Sequence, residues 1–372
     1  MIDFSVGMPC SASAEWHRRI WSDFLRIRTR SLLFLCLIGS YAVPCAQAAS
    51  HSDVAQSMGA RVAQAEAQAR QGWQATLAQA DTPATGCFHA KYPSMIWESV
   101  PCSLATHRMH PLPSARQSNA RTIAQGAGLS SALSDAPSGK VYALQGHGLI
   151  SRAVGSFPAA TGITSVNTDS HPDAYSVQLN TNNATATATC NNHVGCRAWQ
   201  QFLYGNDGPE NAAYILIEYW MNGFGSSCPA GWISWGTDSC YTVSQGVSVP
   251  HYPITQLANF RLTAKAVANG NDSVVFANGS DAYSVSAKDN VLDIASVWTA
   301  ADFNVDGSSS TARAYFNTGT SVTTKLEVND GTTVAPTCVS EGSTTGETNN
   351  LIIGPCTVSG GAMPSIQFTG KI

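Results

Sequence analysis

From Val141 to the end of the chain, apolar and polar positions alternate with period two. Tyr175, Val177 and Leu179 alternate with Ser176, Gln178 and Asn180. Phe260, Leu262, Ala264 and Ala266 alternate with Arg261, Thr263 and Lys265. Val322, Leu326 and Val328 repeat the pattern with Thr and Lys between them, and Ile366 and Phe368 close the chain. Such alternation sends successive side chains to opposite faces of a strand, one buried and one polar. The pairs Asn269-Gly270, Asn278-Gly279, Asp306-Gly307 and Asp330-Gly331 separate the runs with turn residues. Many short strands at this spacing predict an all-β fold, an antiparallel β-sandwich spanning 141–372.

The chain before Val141 reads differently. Val54 through Ala80 is rich in Ala and Gln, lacks Pro, and has only Gly59 and Gly72 as breakers. Val62, Ala65, Ala69, Trp73 and Leu77 recur at helical spacing, predicting one amphipathic helix within an extension over 49–82. That extension is either a helix packed on the domain, a spacer, or a propeptide. Residues 83–140 read as a loop from Cys87 to Cys102 followed by a polar linker carrying Pro111, Pro113 and Pro137. Residues 1–48 read as a secretory signal peptide. Arg18, Arg19, Arg26, Arg28 and Arg30 form the basic part, Leu32 to Val43 the apolar run, and Ala46-Gln47-Ala48 the small-x-small cleavage site. The apolar run is too short for a permanent membrane span, so the expected localisation is secreted or periplasmic, in a bacterial host.

Charge and cysteine usage sharpen this picture. Beyond residue 48 the chain carries fifteen cationic side chains against twenty-one anionic ones, a net charge of −6. A mildly acidic surface without a basic cluster argues against nucleic acid and anionic membrane as partners. Eight of the eleven cysteines lie beyond the signal, as local couples: Cys87 and Cys102, Cys190 and Cys196, Cys228 and Cys240, Cys338 and Cys356. Sequence alone does not choose a connectivity, but turn residues bracket each couple, so near-neighbour disulfides are the simplest expectation. No Cys-x-x-Cys occurs, and His147, His171, His193 and His251 are scattered, so no metal and no cofactor is expected.

The segment with most chemical content is Trp199-Gln200-Gln201-Phe202-Leu203-Tyr204, a polar loop, then Ala212 to Met221. It predicts a hairpin of two central strands, the second apolar on both faces. Period-two geometry puts Tyr214, Glu218 and Trp220 on one face and Ile215, Ile217 and Tyr219 on the other. If the pairing centres on the loop, Glu218 lies across from Trp199 or Gln201. A carboxyl at mid-sheet is costly unless hydrogen-bonded or lining a cleft. Glu218 framed by Trp199, Tyr214, Trp220 and Gln201 therefore reads either as a cleft for a peptide or glycan, or as a satisfied side chain among core aromatics.

This hairpin resembles the paired strands of the glutamic peptidases (eqolisins), secreted two-sheet sandwiches of the concanavalin-like, lectin-type jelly-roll kind. The later Ser296-Val297-Trp298-Thr299-Ala300-Ala301-Asp302-Phe303, followed by Tyr315-Phe316, is similar to that family's Glu-Trp…Asp-Phe segment. The resemblance spans about 199–328 and implies a Gln and a Glu that activate water and hold an oxyanion. By position the Gln is Gln201, or Gln200. The family's Glu position holds Val297, which leaves Glu218 or Glu347 to act, or a cleft that binds without cleaving. The chain also resembles a family of secreted proteobacterial proteins without assigned activity. The resemblance lies in Cys-Phe…Tyr-Pro-Ser…Trp…Val-Pro-Cys from Cys87 to Cys102 and Gly-Glu-Thr-Asn-Asn-Leu from Gly346 to Leu351.

Asp302-x-Asn304-x-Asp306-Gly307 matches half of a calcium loop, but Arg313 occupies the twelfth position, which excludes an EF-hand. It reads as a looser calcium turn or a hairpin with polar residues. Glu341 and Glu347, inside the Cys338–Cys356 loop, read as a cleft rim or as solvated charges. Three functions remain open: a cleft binding an extended polymer without efficient hydrolysis; an acid endopeptidase using Gln201 and Glu218; a structural surface or matrix protein without a cleft.

Overall fold

A computed structural model describes residues 51–80, 85–103, 140–168, 171–184, 187–190, 193–207, 213–307, 313–342 and 347–372. The signal peptide, the linker prolines and the side chain of Glu341 lie outside these residues. Residues Ser57–Ile372 form one compact unit, distinct from Met1–Gln56.

Two large antiparallel sheets make the body of that unit. The first runs, in spatial order, Glu98–Val100, Gly86–Lys91, Asp281–Lys288, Asn271–Asn278, Phe260–Lys265, Arg152–Thr161, Ser321–Asn329, Ser365–Lys371 and Ile352–Ile353. The second runs Ile233–Trp235, Ser239–Val243, Ala213–Asn222, Arg197–Asp207, Ala174–Thr181, Ala300–Asp306, Lys140–Gln145 and Thr337–Gly342. A short third sheet joins Thr348–Asn349, Arg313–Phe316, Val166–Thr168 and His171–Pro172. The fold is all-β, an antiparallel sandwich preceded by a helix, as the alternation implies.

The apolar half of each alternating run supplies the layer between the large sheets. Tyr175, Val177, Leu179, Phe202, Tyr204, Ile215 and Ile217 from the second sheet join Phe157, Phe260, Leu262, Phe276 and Leu326 from the first in one buried cluster. Tyr204 stacks on Phe276 at 4.2 Å and Phe157 lies 4.9 Å from Phe303, ring centre to ring centre. The sheets approach closely enough that a Cβ on Gly155 would stand 2.3 Å from the Phe303 ring, so that contact requires glycine.

The four cysteine couples are bridged as near neighbours: Cys87–Cys102, Cys190–Cys196, Cys228–Cys240 and Cys338–Cys356. Each stabilises by about 2–4 kcal/mol, largely by restricting the unfolded chain, and four bridges fit an oxidising compartment. The segment closed by Cys87–Cys102 is not only a loop. Gly86–Lys91 pairs with Asp281–Lys288 and with Glu98–Val100, so the first sheet recruits residues upstream of 141.

The helix spans His51–Gln79, but its buried face is narrower than its periodicity predicts. Val62 is 65% exposed, whereas Trp73 and Leu77 pack with Ala90, Ala277 and Ala282 on the outer face of the first sheet. Trp73 donates its indole N–H to the Ser94 carbonyl at 2.7 Å. Lys265 Nζ donates to the carbonyls of Gln79 and Ala80, placing a cation where the helix ends and its carbonyls lack partners. No helix among the described residues is long and apolar enough to cross a membrane.

Candidate functional site

The hairpin of Arg197–Asp207 with Ala213–Asn222 forms as its residues dictate. Trp199, Phe202 and Tyr204 on the first strand and Tyr214, Ile215, Ile217, Tyr219 and Trp220 on the second are aromatic or β-branched side chains, which favour a pleated, buried surface. In the register, Trp199 faces Trp220, Gln201 faces Glu218, Leu203 faces Leu216, and Gly205 faces Tyr214. Residues directly opposite share a face of the sheet. All of these side chains therefore occupy the face turned away from the inter-sheet core, with the Gln201–Glu218 rung between an aromatic patch and a leucine patch. Gly205 is needed here too: a Cβ would meet the Tyr214 ring at 2.5 Å.

The same rung continues into neighbouring strands. Asn180 lies opposite Gln201, and Asp302 lies opposite Asn180; Asn180 Nδ2 donates to Asp302 Oδ1 at 2.9 Å. One rung over, Gln178 Nε2 donates to Glu347 Oε2 at 2.7 Å and Gln201 Nε2 donates to the same oxygen at 3.2 Å. Gln201 Nε2 also donates to Gln178 Oε1. Glu347, far along the chain, thus completes a four-residue group of Gln178, Gln201, Glu218 and Glu347. Two amide N–H groups converging on one carboxylate oxygen suit the ionised form of Glu347.

Glu218 is in the opposite situation. It is 6% exposed, and Trp220 Nε1 donates to its Oε2 at 3.2 Å. Burial, reinforced by the negative charge of Glu347, pushes its carboxyl up to about 8, against the smaller opposing effect of the Trp220 hydrogen bond. At neutral pH it is a neutral acid facing the Gln201 amide, with the Glu347 carboxyl beside them. Burial, with Glu347 and Asp302, likewise holds the Asp306 carboxyl well above the usual range.

An aromatic ladder runs from this group to the sheet's edge. Trp199 and Trp220 stack in parallel at 5.5 Å, Trp220 and Tyr241 at 4.8 Å, and Trp235 meets both Trp220 and Tyr241 edge-on. Trp199, Tyr214, Trp220 and Tyr241 are buried, and Trp235 on the edge strand is partly exposed. Among the described residues, buried polar atoms on this face without a hydrogen-bond partner include Nε1 of Trp199, Oδ1 of Asn180 and Oδ1 of Asp306.

The structure separates the two glutamines left open by the sequence. Gln200 faces the inter-sheet core, where its Nε2 donates to Asp272 Oδ2 at 2.8 Å, while Gln201 faces Glu218. Val297 ends a short 3₁₀ turn and Trp298 is buried in the core against Phe202. The segment with the Glu-Trp likeness therefore places no carboxyl on the site at that position. Asp302, Asn304 and Asp306 are alternate residues of a strand on the site face, not a calcium turn. Among the described residues no group of three or more His, Cys, Asp or Glu could hold a metal ion. Gln178, Asn180 and Tyr241 were not singled out by sequence; the period-two run through 175–180 names the first two as the polar face and no more.

No family model matches the chain, and no curated protein matches it. Among solved structures it is similar to scytalido-glutamic peptidase with a peptide-based transition-state analogue. The two share 13% identity over 62% of this chain and 97% of that one, with a TM-score of 0.29. A second structure of scytalido-glutamic peptidase, with a transition-state analogue inhibitor, gives 14% identity over the same shares and a TM-score of 0.24. Likenesses at these scores carry no conclusion about the chemistry of this chain.

Proposed function

We propose that this is an exported protein, secreted or periplasmic, that binds an extended polymer, peptide or glycan, on the Gln201–Glu218 face without hydrolysing it efficiently. The observation that carries this reading is the rung itself. A neutral carboxyl, a carboxamide and a carboxylate sit side by side at the end of an aromatic ladder, next to the unpaired Trp199 N–H and Asn180 carbonyl. Buried polar atoms without partners cost about 1–3 kcal/mol each, a cost that a ligand's hydroxyl or amide groups would offset. Trp235, partly exposed, would receive the polymer at the sheet's edge. Glu218, Gln201 and Glu347, with Trp199, Tyr214 and Trp220 beside them, are buried in the free protein, so binding requires the segments that cover this face to move aside.

Inefficient hydrolysis follows from protonation. Water activation needs an ionised base, and Glu218 stays protonated through the acid range while Glu347 is engaged by two amides. The test is a casein and peptide-library digest across pH 3–7 beside binding to a glycan array. Saturable binding of a peptide or glycan without cleavage is expected; binding of neither would overturn the reading. The direct opposition of Gln201 and Glu218 favours a second reading, an acid endopeptidase using that pair. It requires acid-optimal cleavage that Glu218→Gln abolishes.

A further inference from the structure

A concave site lies on the other side of the molecule, between the helix and the outer face of the first sheet. Its volume is about 590 Å³, within the usual range of small-ligand sites. Arg70, Gln71 and Gln74 line it from the helix; Ser156, Arg261 and Lys325 line it from the sheet. The registers explain the arrangement. Arg261 and Lys325 both lie opposite Ser156, one on each neighbouring strand. A short hydroxyl side chain is thus flanked by two cations roughly 9–10 Å apart across three strands, with Arg70 facing them from the helix.

The cations are not equally satisfied. Lys325 Nζ is paired with Glu327 Oε1 at 2.8 Å, and Arg70 has a loose partner in Glu66 at 3.7 Å. Arg261 is partly buried and has neither a hydrogen bond nor an ion pair among the described residues; Glu327 acts on it only through space. Withdrawing a guanidinium from water without giving it a partner is unfavourable. Its planar fork matches a carboxylate, phosphate or sulfate in two parallel hydrogen bonds. With three cations against the single carboxylate of Glu327, the lining carries a net positive charge in a chain that is otherwise acidic.

We propose that this groove is a binding site for a small, polar, oxyanion-bearing ligand, held by the Arg261 guanidinium with Lys325, Arg70 and the Ser156 hydroxyl around it. The amide side chains of Gln71 and Gln74 and the neighbouring Asn259 and Ser280 suit a hydroxylated body beside the anion. The site is independent of the Gln201–Glu218 face, which belongs to the other sheet.

The experiment is titration calorimetry and thermal unfolding of the full chain with sulfate, inorganic phosphate and glucuronate. Glucose and chloride at matched ionic strength serve as controls. Saturable binding of at least one oxyanion, absent with both controls, is expected. A preference for glucuronate over phosphate and sulfate identifies a sugar-acid source, and the reverse preference identifies a phosphate or sulfate ester. Arg261→Gln should weaken binding at least tenfold, and Arg261→Lys should recover part of it by restoring charge without the fork. Should Arg261→Gln unfold, Arg70→Gln on the exposed helix provides the second variant and should weaken binding several-fold. No saturable binding by any of the three oxyanions would overturn the proposal. Affinity unchanged in both Arg261→Gln and Arg70→Gln would also overturn it.

Discussion

Glu218→Gln is expected to make the protein more stable at pH 8, not less. The folded carboxyl titrates near 8, whereas the ordinary value is 4.5. A group whose folded pKa is raised binds its proton more tightly in the native state. Its contribution is therefore complete below pH 4.5 and is lost as the pH climbs through the window from 4.5 to 8. A shift of that size corresponds to on the order of 4 kcal/mol of stability lost by pH 8. Gln is neutral at every pH, nearly isosteric, and can still accept the Trp220 N–H. Denaturant unfolding at pH 4 should find the two proteins within about 1 kcal/mol, and at pH 8 the variant should be more stable by a few kcal/mol. A slope with pH will persist in Glu218→Gln, because burial also raises Asp306 and Asp272. A variant no more stable than wild type at pH 8 would mean that the Glu218 carboxyl is not raised in the native protein.

Trp220→Ala should be the most damaging single change at the site. Its indole stacks on Trp199 and Tyr241, meets Trp235 edge-on, and supplies the hydrogen bond to Glu218. Removing a buried indole costs about 3–5 kcal/mol through lost burial and the cavity left behind. The second consequence is electrostatic. The Trp220 N–H is the influence that pulls Glu218 down, so its loss moves the carboxyl further above 8. Trp220→Phe separates the two effects. It keeps a stacking ring and should cost less stability, but it lacks the N–H and should raise the Glu218 titration as Trp220→Ala does. Thermal unfolding reports the first effect and carboxyl NMR the second. If Trp220→Phe left the Glu218 titration unchanged, the indole N–H would have no part in setting it.

The sandwich was legible because alternation reports the inter-sheet face directly: Tyr175, Val177 and Leu179, or Phe260, Leu262 and Ala264, are core residues in the structure. Centring the hairpin on its loop placed Glu218 across from Trp199 or Gln201, and the register selects Gln201. Less legible was the state of the other face. Ser176, Gln178 and Asn180 alternate with apolar residues as solvent-facing residues would, yet all three are buried. Periodicity distinguishes two faces without telling what covers either. The same limit applies to Asp302, Asn304 and Asp306. Oxygen side chains at every second position satisfy both a calcium loop and a strand with one polar face, and Ala301, Phe303 and Val305 in the core settle it as a strand. Glu347 joins Gln178 and Gln201 by long-range folding that no local pattern encodes. The helix shows a third kind of gap: its apolar positions are evenly spaced, but only the final turns with Trp73 and Leu77 meet a partner.

Carboxyl-detected ¹³C NMR of glutamate-labelled protein from pH 4 to 9, with Glu218→Gln to assign the resonance, tests the proton-bearing Glu218 most directly. The expected result is a side-chain carboxyl that remains protonated through neutrality and titrates near 8. A Glu218 resonance that titrates near 4.5 would contradict it, and would mean that the buried rung holds Glu218 as a carboxylate.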